Sequence, residues 1–194
     1  MVFENIKELD TNKEYKGVVE YAPTIKQDIR SYLDRDYINA KIDLIKNTKH
    51  RFLIQVLWMT GLRVSEITNI RKRDIDIDSY LMRVRWLKSR KYNERVVPIH
   101  PMLRDLLQLF IAPLKADDKL FNYSRQRVYQ LAVKYLGCKT HTLRHSFAVN
   151  WLKCGGDIVI LSRVMGHSSI NTTMEYLKIV PIDQGKELLK VRFR

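Results

Sequence analysis

The residues able to do chemistry fall in four short blocks: Thr60-Gly-Leu-Arg63-Val-Ser-Glu66, the basic stretch Lys88-Ser-Arg-Lys91, His141-Thr-Leu-Arg144-His145, and Gly166-His167 with Tyr176 beyond it. Taken singly, most have plain structural explanations. Arg63 can be a helix-start arginine paired with Glu66, and Tyr176 a half-buried core tyrosine. Taken together, two arginines, a lysine, two histidines and a tyrosine are what metal-free transesterification at a phosphodiester requires. Arginine forks hold non-bridging phosphate oxygens and neutralise the charge of a five-coordinate transition state. Tyrosine, with an ordinary pKa of about 10, becomes a nucleophile when cations and a base help its proton leave. A hairpin lysine can act as general acid for the departing sugar oxygen. Histidine can orient the phosphate or carry the nucleophile's proton.

His141 and His145 also have the i, i+4 spacing of a helical metal pair. Against zinc, the block has no glutamate to serve as base, and Arg144 would sit beside the metal. His145 therefore reads as a hydrogen-bonding support and not as a ligand.

The elements that must position these blocks are legible from periodicity. From about Tyr37 the pattern is helical, through Ile38, Ile42 and Ile45 and then Phe52, Ile54, Val56, Leu57 and Met59, until Gly61 breaks it. Ser65 begins a short helix. The period then changes to two at Ile75/Ile77, Leu81–Trp86 and Val96–Ile99, which predicts a small antiparallel sheet with the polar segment 88–94 as a basic hairpin tip. Pro98 suits an edge position or a strand end. Later helices are expected over about 102–111, 125–136 (Ser124 cap, Gly137 stop), 142–153, 158–165 (Asp157 cap, Gly166 stop) and 172–178, with a terminal helix after Pro181. The fold class is thus mainly α with a small three-stranded antiparallel sheet. Residues 1–35 read as an N-terminal arm or vestigial segment, and 36–194 as one domain with a C-terminal helix from about 181.

The chain has 194 residues, and its 35 Lys+Arg against 21 Asp+Glu give a formal charge of +14, which points to a polyanionic partner. The basic residues are spread along the chain, as on a folded surface wrapping a phosphate backbone. Arg125 and Arg127, opening a helix, and Lys91 on the hairpin are the candidates for contact with that partner. With 45% hydrophobic residues a real core is expected, which excludes disorder as a description of the whole. No apolar run is long enough to span a membrane, and the charged N-terminus is not a secretory signal. Cys138 and Cys154 make no disulfide framework, which suits a reducing compartment.

Three of the blocks closely resemble the signature blocks of tyrosine recombinases, the phage-integrase family: Thr-Gly-Leu-Arg63-Val-Ser-Glu66, His141-Thr-Leu-Arg144-His145-Ser-Phe-Ala, and Leu161-Ser-Arg-Val-Met-Gly-His167 running on to Tyr176. The resemblance covers about residues 37–181. It implies a DNA strand-exchange enzyme with the catalytic fold of DNA breaking-rejoining enzymes. Arg63 would be the first catalytic arginine, with Glu66 as supporting carboxylate. His141 and Arg144 would be the central pair, His167 the second histidine, and Tyr176 the nucleophile that forms a 3′-phosphotyrosyl link. Neither ATP nor metal is implied, so no cofactor is expected. The catalytic lysine is assigned to Lys88, just after Arg-Trp-Leu. A fixed count back from Pro98 lands on Arg90, and Lys91 lies within reach.

Family members carry an N-terminal helical domain that clamps the far side of the DNA, and only about 35 residues precede the catalytic domain here. A minimal recombinase and a catalytic fragment both fit, and Met1 favours a complete chain. The resemblance also implies double-stranded DNA as partner, a homotetramer on DNA with exchange of the C-terminal helix, and accessory DNA-bending proteins. Two other functions share the same residues: a type IB topoisomerase-like activity, and a catalytically silent DNA-binding regulator derived from a recombinase.

Overall fold

The computed structural model describes residues 18–20, 31–88 and 91–180, with side chains over 32–86 and 93–180. Helix α1 (Arg35–Asp43) is capped by Asp34, whose side chain accepts from the Asp36 amide. Helix α2 (Thr48–Thr60) starts at Asn47 in the same way and stops at Gly61, in the left-handed region at φ 61°. Phe52, Leu53, Ile54, Val56, Leu57, Trp58 and Thr60 are all buried, with Arg51, Gln55 and Met59 half-buried along one stripe, so α2 runs through the main core. The short α3 (Val64–Ile67) follows at once.

Strands β3 (Ile75–Asp76), β4 (Leu81–Lys88) and β5 (Lys91–Pro98) form the expected antiparallel sheet in the order β3-β4-β5. Its inner face carries Met82, Val84 and Val97, each fully buried. The hairpin differs from the sequence expectation. The β4–β5 ladder runs to Lys88 opposite Lys91, so most of the segment read as a polar tip is paired strand. Ladder hydrogen bonds are made by the backbone, and polar side chains on a solvent face do not interrupt them.

Helices α4 (Pro101–Ile111), α5 (Arg125–Leu136), α6 (Thr140–Lys153) and α7 (Ile158–Met165) lie within two residues of their expected bounds, α5 and α7 starting at the Ser124 and Asp157 caps. The segment expected as one helix near 172–178 is instead α8 (Asn171–Met174) tightening into a 3-10 turn over Glu175–Lys178. The helix expected after Pro181 lies outside the described residues.

Two strands were not expected. β1 (Val18–Glu20) pairs antiparallel with β2 (Ser31–Leu33), and β2 packs on α6, where the Leu33 amide donates to Ser146 Oγ at 2.8 Å. Leu33 belongs to the main core. Tyr32 joins a second buried cluster with Ala148, Val149, Leu161, Met165, Tyr176 and Val180. The site described next is built where these two clusters meet along α6.

Candidate active site

Four donors converge on one carboxylate. Glu66, on α3, is 2% exposed. Its Oε2 accepts from the Arg63 backbone amide at 2.8 Å, and its Oε1 accepts from Arg63 Nη1 at 3.0 Å. Arg95 adds a fork from β5, Nη1 to Oε1 at 2.7 Å and Nη2 to Oε2 at 2.8 Å. Burial alone would push the Glu66 carboxyl up, but the hydrogen bonds and charges of Arg95 and Arg63 outweigh it and hold it below the ordinary carboxylate range. The carboxylate is therefore ionised and saturated, while the Arg63 side chain keeps 35% of its surface exposed.

Arg144, on α6, reaches two element ends. Its Nη1 donates to the Gly61 carbonyl at 2.5 Å, at the end of α2, and its Nη2 to the Met165 carbonyl at 2.6 Å, at the end of α7. Arg63 Nη2 approaches the next carbonyl, Gly166, at 3.5 Å. Both catalytic candidates thus converge on the turn that delivers His167. Burial, then repulsion from Arg63, lowers the Arg144 guanidinium to about 10, still cationic at neutral pH.

His167 Nε2 lies 3.4 Å from Arg144 Nη2, and Nδ1 lies 2.8 Å from Thr173 Oγ1. A guanidinium N–H can only donate, so Nε2 accepts and the ring proton sits on Nδ1, donating to Thr173. Burial and the charges of Arg144, Arg63 and Arg95 lower the imidazole to about 4, so it is neutral at pH 7. Within this cluster three guanidiniums share one carboxylate. The excess positive charge, with planar forks in a partly buried setting, suits a tetrahedral anion.

Tyr176 is 2% exposed, and its hydroxyl is hydrogen-bonded at 2.8 Å to His145 Nδ1. Burial raises the phenol to about 12 against the lowering influence of Arg144 and Arg63. The His141 ring meets the His145 ring edge-on, with centroids 4.8 Å apart. The structure thus brings Arg63, Glu66, Arg144, His145, His167 and Tyr176 into one neighbourhood, with His141 at its exposed side.

Arg125 and Arg127 are exposed in the first turn of α5, which packs against α3. Their positions follow from the Ser124 cap, whose hydroxyl accepts from the Arg127 amide at 3.1 Å. The side chains of Lys88 and Lys91 lie outside the described residues, although their backbones close the β4–β5 ladder. Among the described residues no group of three or more His, Cys, Asp or Glu could hold a metal ion, and no helix is long and apolar enough to cross a membrane.

Two site residues escaped the sequence reading. Thr173, fully buried, accepts the Nδ1 proton of the His167 tautomer that Arg144 selects. Arg95 has a signal: period two places it on the same strand face as Val97, and an inward-facing charge needs a buried counter-charge.

The chain has relatives of known family and fold. The Phage integrase family matches residues 31–181. The chain is 34% identical over 174 residues to tyrosine recombinase XerA of Saccharolobus solfataricus, covering 87% of this chain and 59% of that protein. It is 31% identical to tyrosine recombinase XerC of Chlamydia caviae, covering 82% and 58% respectively. The chain thus spans about three-fifths of the length of these relatives. Among solved structures it is similar to XerA recombinase, with TM-score 0.67 and 25% identity over 87% of this chain and 65% of that one. It is also similar to the catalytic domain of bacteriophage HP1 integrase, with TM-score 0.62 and 25% identity over 81% and 92%. With its site residues gathered on a tyrosine recombinase catalytic fold, the chain belongs to the phage integrase family, the tyrosine recombinases.

Proposed function

We propose that this domain carries out site-specific DNA recombination by metal-free transesterification through a 3′-phosphotyrosyl intermediate. The observation that carries the reading is the convergence of Arg63 and Arg144 on the consecutive carbonyls of Met165 and Gly166, directly before His167. A scissile phosphodiester placed there would meet the N–H groups that the two guanidiniums do not spend on Gly61, Met165 and Glu66. Its negative charge would raise the proton affinity of His167, allowing that ring to donate to a non-bridging oxygen.

Tyr176 Oη then attacks phosphorus. The Oη–P bond forms, the P–O5′ bond breaks, the phenol proton leaves toward the His145/His141 pair, and the 5′ oxygen takes a proton from Lys88. Arg144 and Arg63 already oppose the upward shift of the phenol, and they would favour the phenolate further as it swings toward the phosphate. Rejoining is the reverse, with another strand's 5′-hydroxyl as nucleophile, and the energy of the broken bond is retained in the phosphotyrosyl link. Lys91, Arg125 and Arg127 supply contacts that hold the duplex.

The partner is double-stranded DNA, consistent with XerH solved on its difH substrate. Working units would be homotetramers on DNA that exchange C-terminal helices, aided by DNA-bending proteins in a nucleoid-associated cytoplasmic setting. Residues 36–194 would form the catalytic domain and 1–35 an appended arm, although β2 contributes Leu33 to the core.

The test is a suicide-substrate assay with nicked duplexes tiled across the DNA flanking the coding sequence, in EDTA, comparing wild type with Tyr176→Phe. A protein–DNA adduct made by wild type alone supports the mechanism. Adduct or cleavage that persists in Tyr176→Phe overturns it. Tight binding without an adduct supports the silent regulator, and relaxation of supercoiled plasmid lacking any such site supports the topoisomerase-like activity.

A further inference from the structure

Arg95 is an ionic residue on the wrong face of a strand. It lies opposite Val84 in the β4–β5 ladder, on the face that carries Met82, Val84 and Val97 into the core. Its side chain is 8% exposed and that of its partner Glu66 is 1% exposed. An ion pair so deeply buried costs desolvation that apolar residues of similar size would avoid, so stability alone is a poor reason for it.

Each of the three nitrogens of this guanidinium makes a positioning bond. The Nη1/Nη2 fork holds both oxygens of Glu66, and Nε donates to the Val164 carbonyl at 2.6 Å in the last turn of α7. Trp86, on the neighbouring strand, places its ring 5.1 Å from Cζ. Gly166 packs so closely that a Cβ there would lie 2.9 Å from Arg95 Nη1 and 3.0 Å from Cδ. One side chain therefore joins three pieces of the site: the hairpin strand, the carboxylate that grips Arg63, and the turn before His167.

We propose that Arg95 is a positioning residue for transesterification, which fixes the Arg63 guanidinium through Glu66 and the His167 turn through Val164 while anchoring the hairpin to both. It does not touch the phosphate, since its fork is occupied by Glu66. Lysine at this position would keep the charge but cannot make the fork and the Nε bond together. This inference rests on the proposed transesterification, with Arg63 and His167 as phosphate-binding groups.

The test uses the full chain with Arg95→Lys, Arg95→Met, Glu66→Gln and the Arg95→Lys/Glu66→Gln double variant, each checked by thermal melting. On a nicked duplex that wild type cleaves, Arg95→Lys should lose about 10- to 100-fold in single-turnover cleavage, the scale of a small misplacement of catalytic groups. Duplex affinity should change less than about threefold. Because Arg95 acts on Arg63 through Glu66, the double variant should be scarcely slower than the slower single variant. Multiplied losses, or a loss confined to affinity, would overturn the proposal.

A second readout needs no DNA. Hydrogen exchange at 63–67 and 164–167 should rise together in Arg95→Met and Arg95→Lys while α4 is unchanged. Unchanged exchange at both segments would overturn the inference even if cleavage fell. Coupled exchange with no wild-type adduct on any duplex would instead sink the proposed function, and with it the catalytic side of the inference, and leave Arg95 as the link that orders 63–67 and 164–167.

Discussion

Arg63 and Arg144 reach neighbouring carbonyls of one turn: Arg144 Nη2 donates to Met165 at 2.6 Å, and Arg63 Nη2 stands 3.5 Å from Gly166. The two differ in everything else. Arg144 is 3% exposed and held at both ends by main-chain carbonyls, whereas Arg63 has a carboxylate on one side and an open face on the other. The buried arginine is set by the fold, and the exposed one is set by Glu66. That asymmetry makes Arg63 the safer position for testing chemistry without damaging folding.

Arg63→Ala is expected to reduce adduct formation on a cleavable duplex by about 100-fold or more while changing duplex affinity little, because the fork acts on charge that develops in the transition state. Arg127→Ala should do the opposite. Exposed on the first turn of α5, it would weaken binding and lower the slope of log K against log salt by about 1, with bound complexes cleaving at the wild-type rate. Affinity titrations at three or four salt concentrations, paired with single-turnover cleavage, separate the two. Equal loss of binding and cleavage in Arg63→Ala would count against its transition-state role.

How far the sequence carried this site depends on the range of each interaction. Ser124 before α5 and Asp157 before α7 were readable because a cap acts within three residues, as do Gly137 and Gly166 at the helix ends. The blocks around Arg63, Arg144 and His167 stood out because residue type alone limits what they can do, whereas the side chains of Lys88 and Lys91 lie outside the described residues. Arg95 was hidden because Glu66, its partner, comes from another element, and the strand run at Val96–Ile99 was counted only for its apolar members. The β1–β2 pair was hidden for a related reason. Three-residue strands carry almost no period, and Leu33 is held by Ser146, far along the chain. The extension of the β4–β5 ladder depends on backbone pairing, to which hydropathy is blind.

The His145–Tyr176 hydrogen bond should be measurable as a coupling. The hydroxyl is buried, so removing only the imidazole strands a polar group without water. His145→Ala is expected to cost about 2–3 kcal/mol in urea unfolding, combining that penalty with lost packing. In a cycle with Tyr176→Phe, the interaction should be on the order of 1 kcal/mol. Strict additivity would mean that the contact does not hold the Tyr176 hydroxyl in place.

Stability should fall with acid in a window that His167 helps define. Folded, the ring is lowered to about 4 by burial and by Arg144, Arg63 and Arg95. Unfolded, it titrates near its ordinary value of about 6.5. Between those values the unfolded chain binds a proton that the folded one refuses. This contribution is therefore present in full above about 6.5 and is lost progressively as pH drops toward about 4. Unfolding free energies at pH 4.5, 5.5 and 7, taken as the difference between wild type and His167→Gln, should show wild type falling more steeply. Parallel pH profiles would show that the imidazole is not suppressed in the fold.

Gly61 joins backbone geometry to the site in one residue. It ends α2 at φ 61°, and its carbonyl accepts from Arg144. A Cβ there would lie 2.3 Å from Phe147 Cδ1, so an added methyl group faces both left-handed strain and a ring on α6 that must move. Gly137 is the natural control, because it ends α5 at φ 68° with nothing within 4 Å of an added Cβ. Gly137→Ala should therefore cost about 1 kcal/mol, the left-handed penalty alone, and leave cleavage unchanged. Gly61→Ala should add a further cost of about 1–3 kcal/mol for overpacking. It should also slow cleavage, since displacing Phe147 shifts the helix that carries Arg144 and His145. Unfolding curves and single-turnover cleavage on the two variants decide it, and equal costs would mean that Phe147 yields freely and that the Arg144 seat does not depend on that contact.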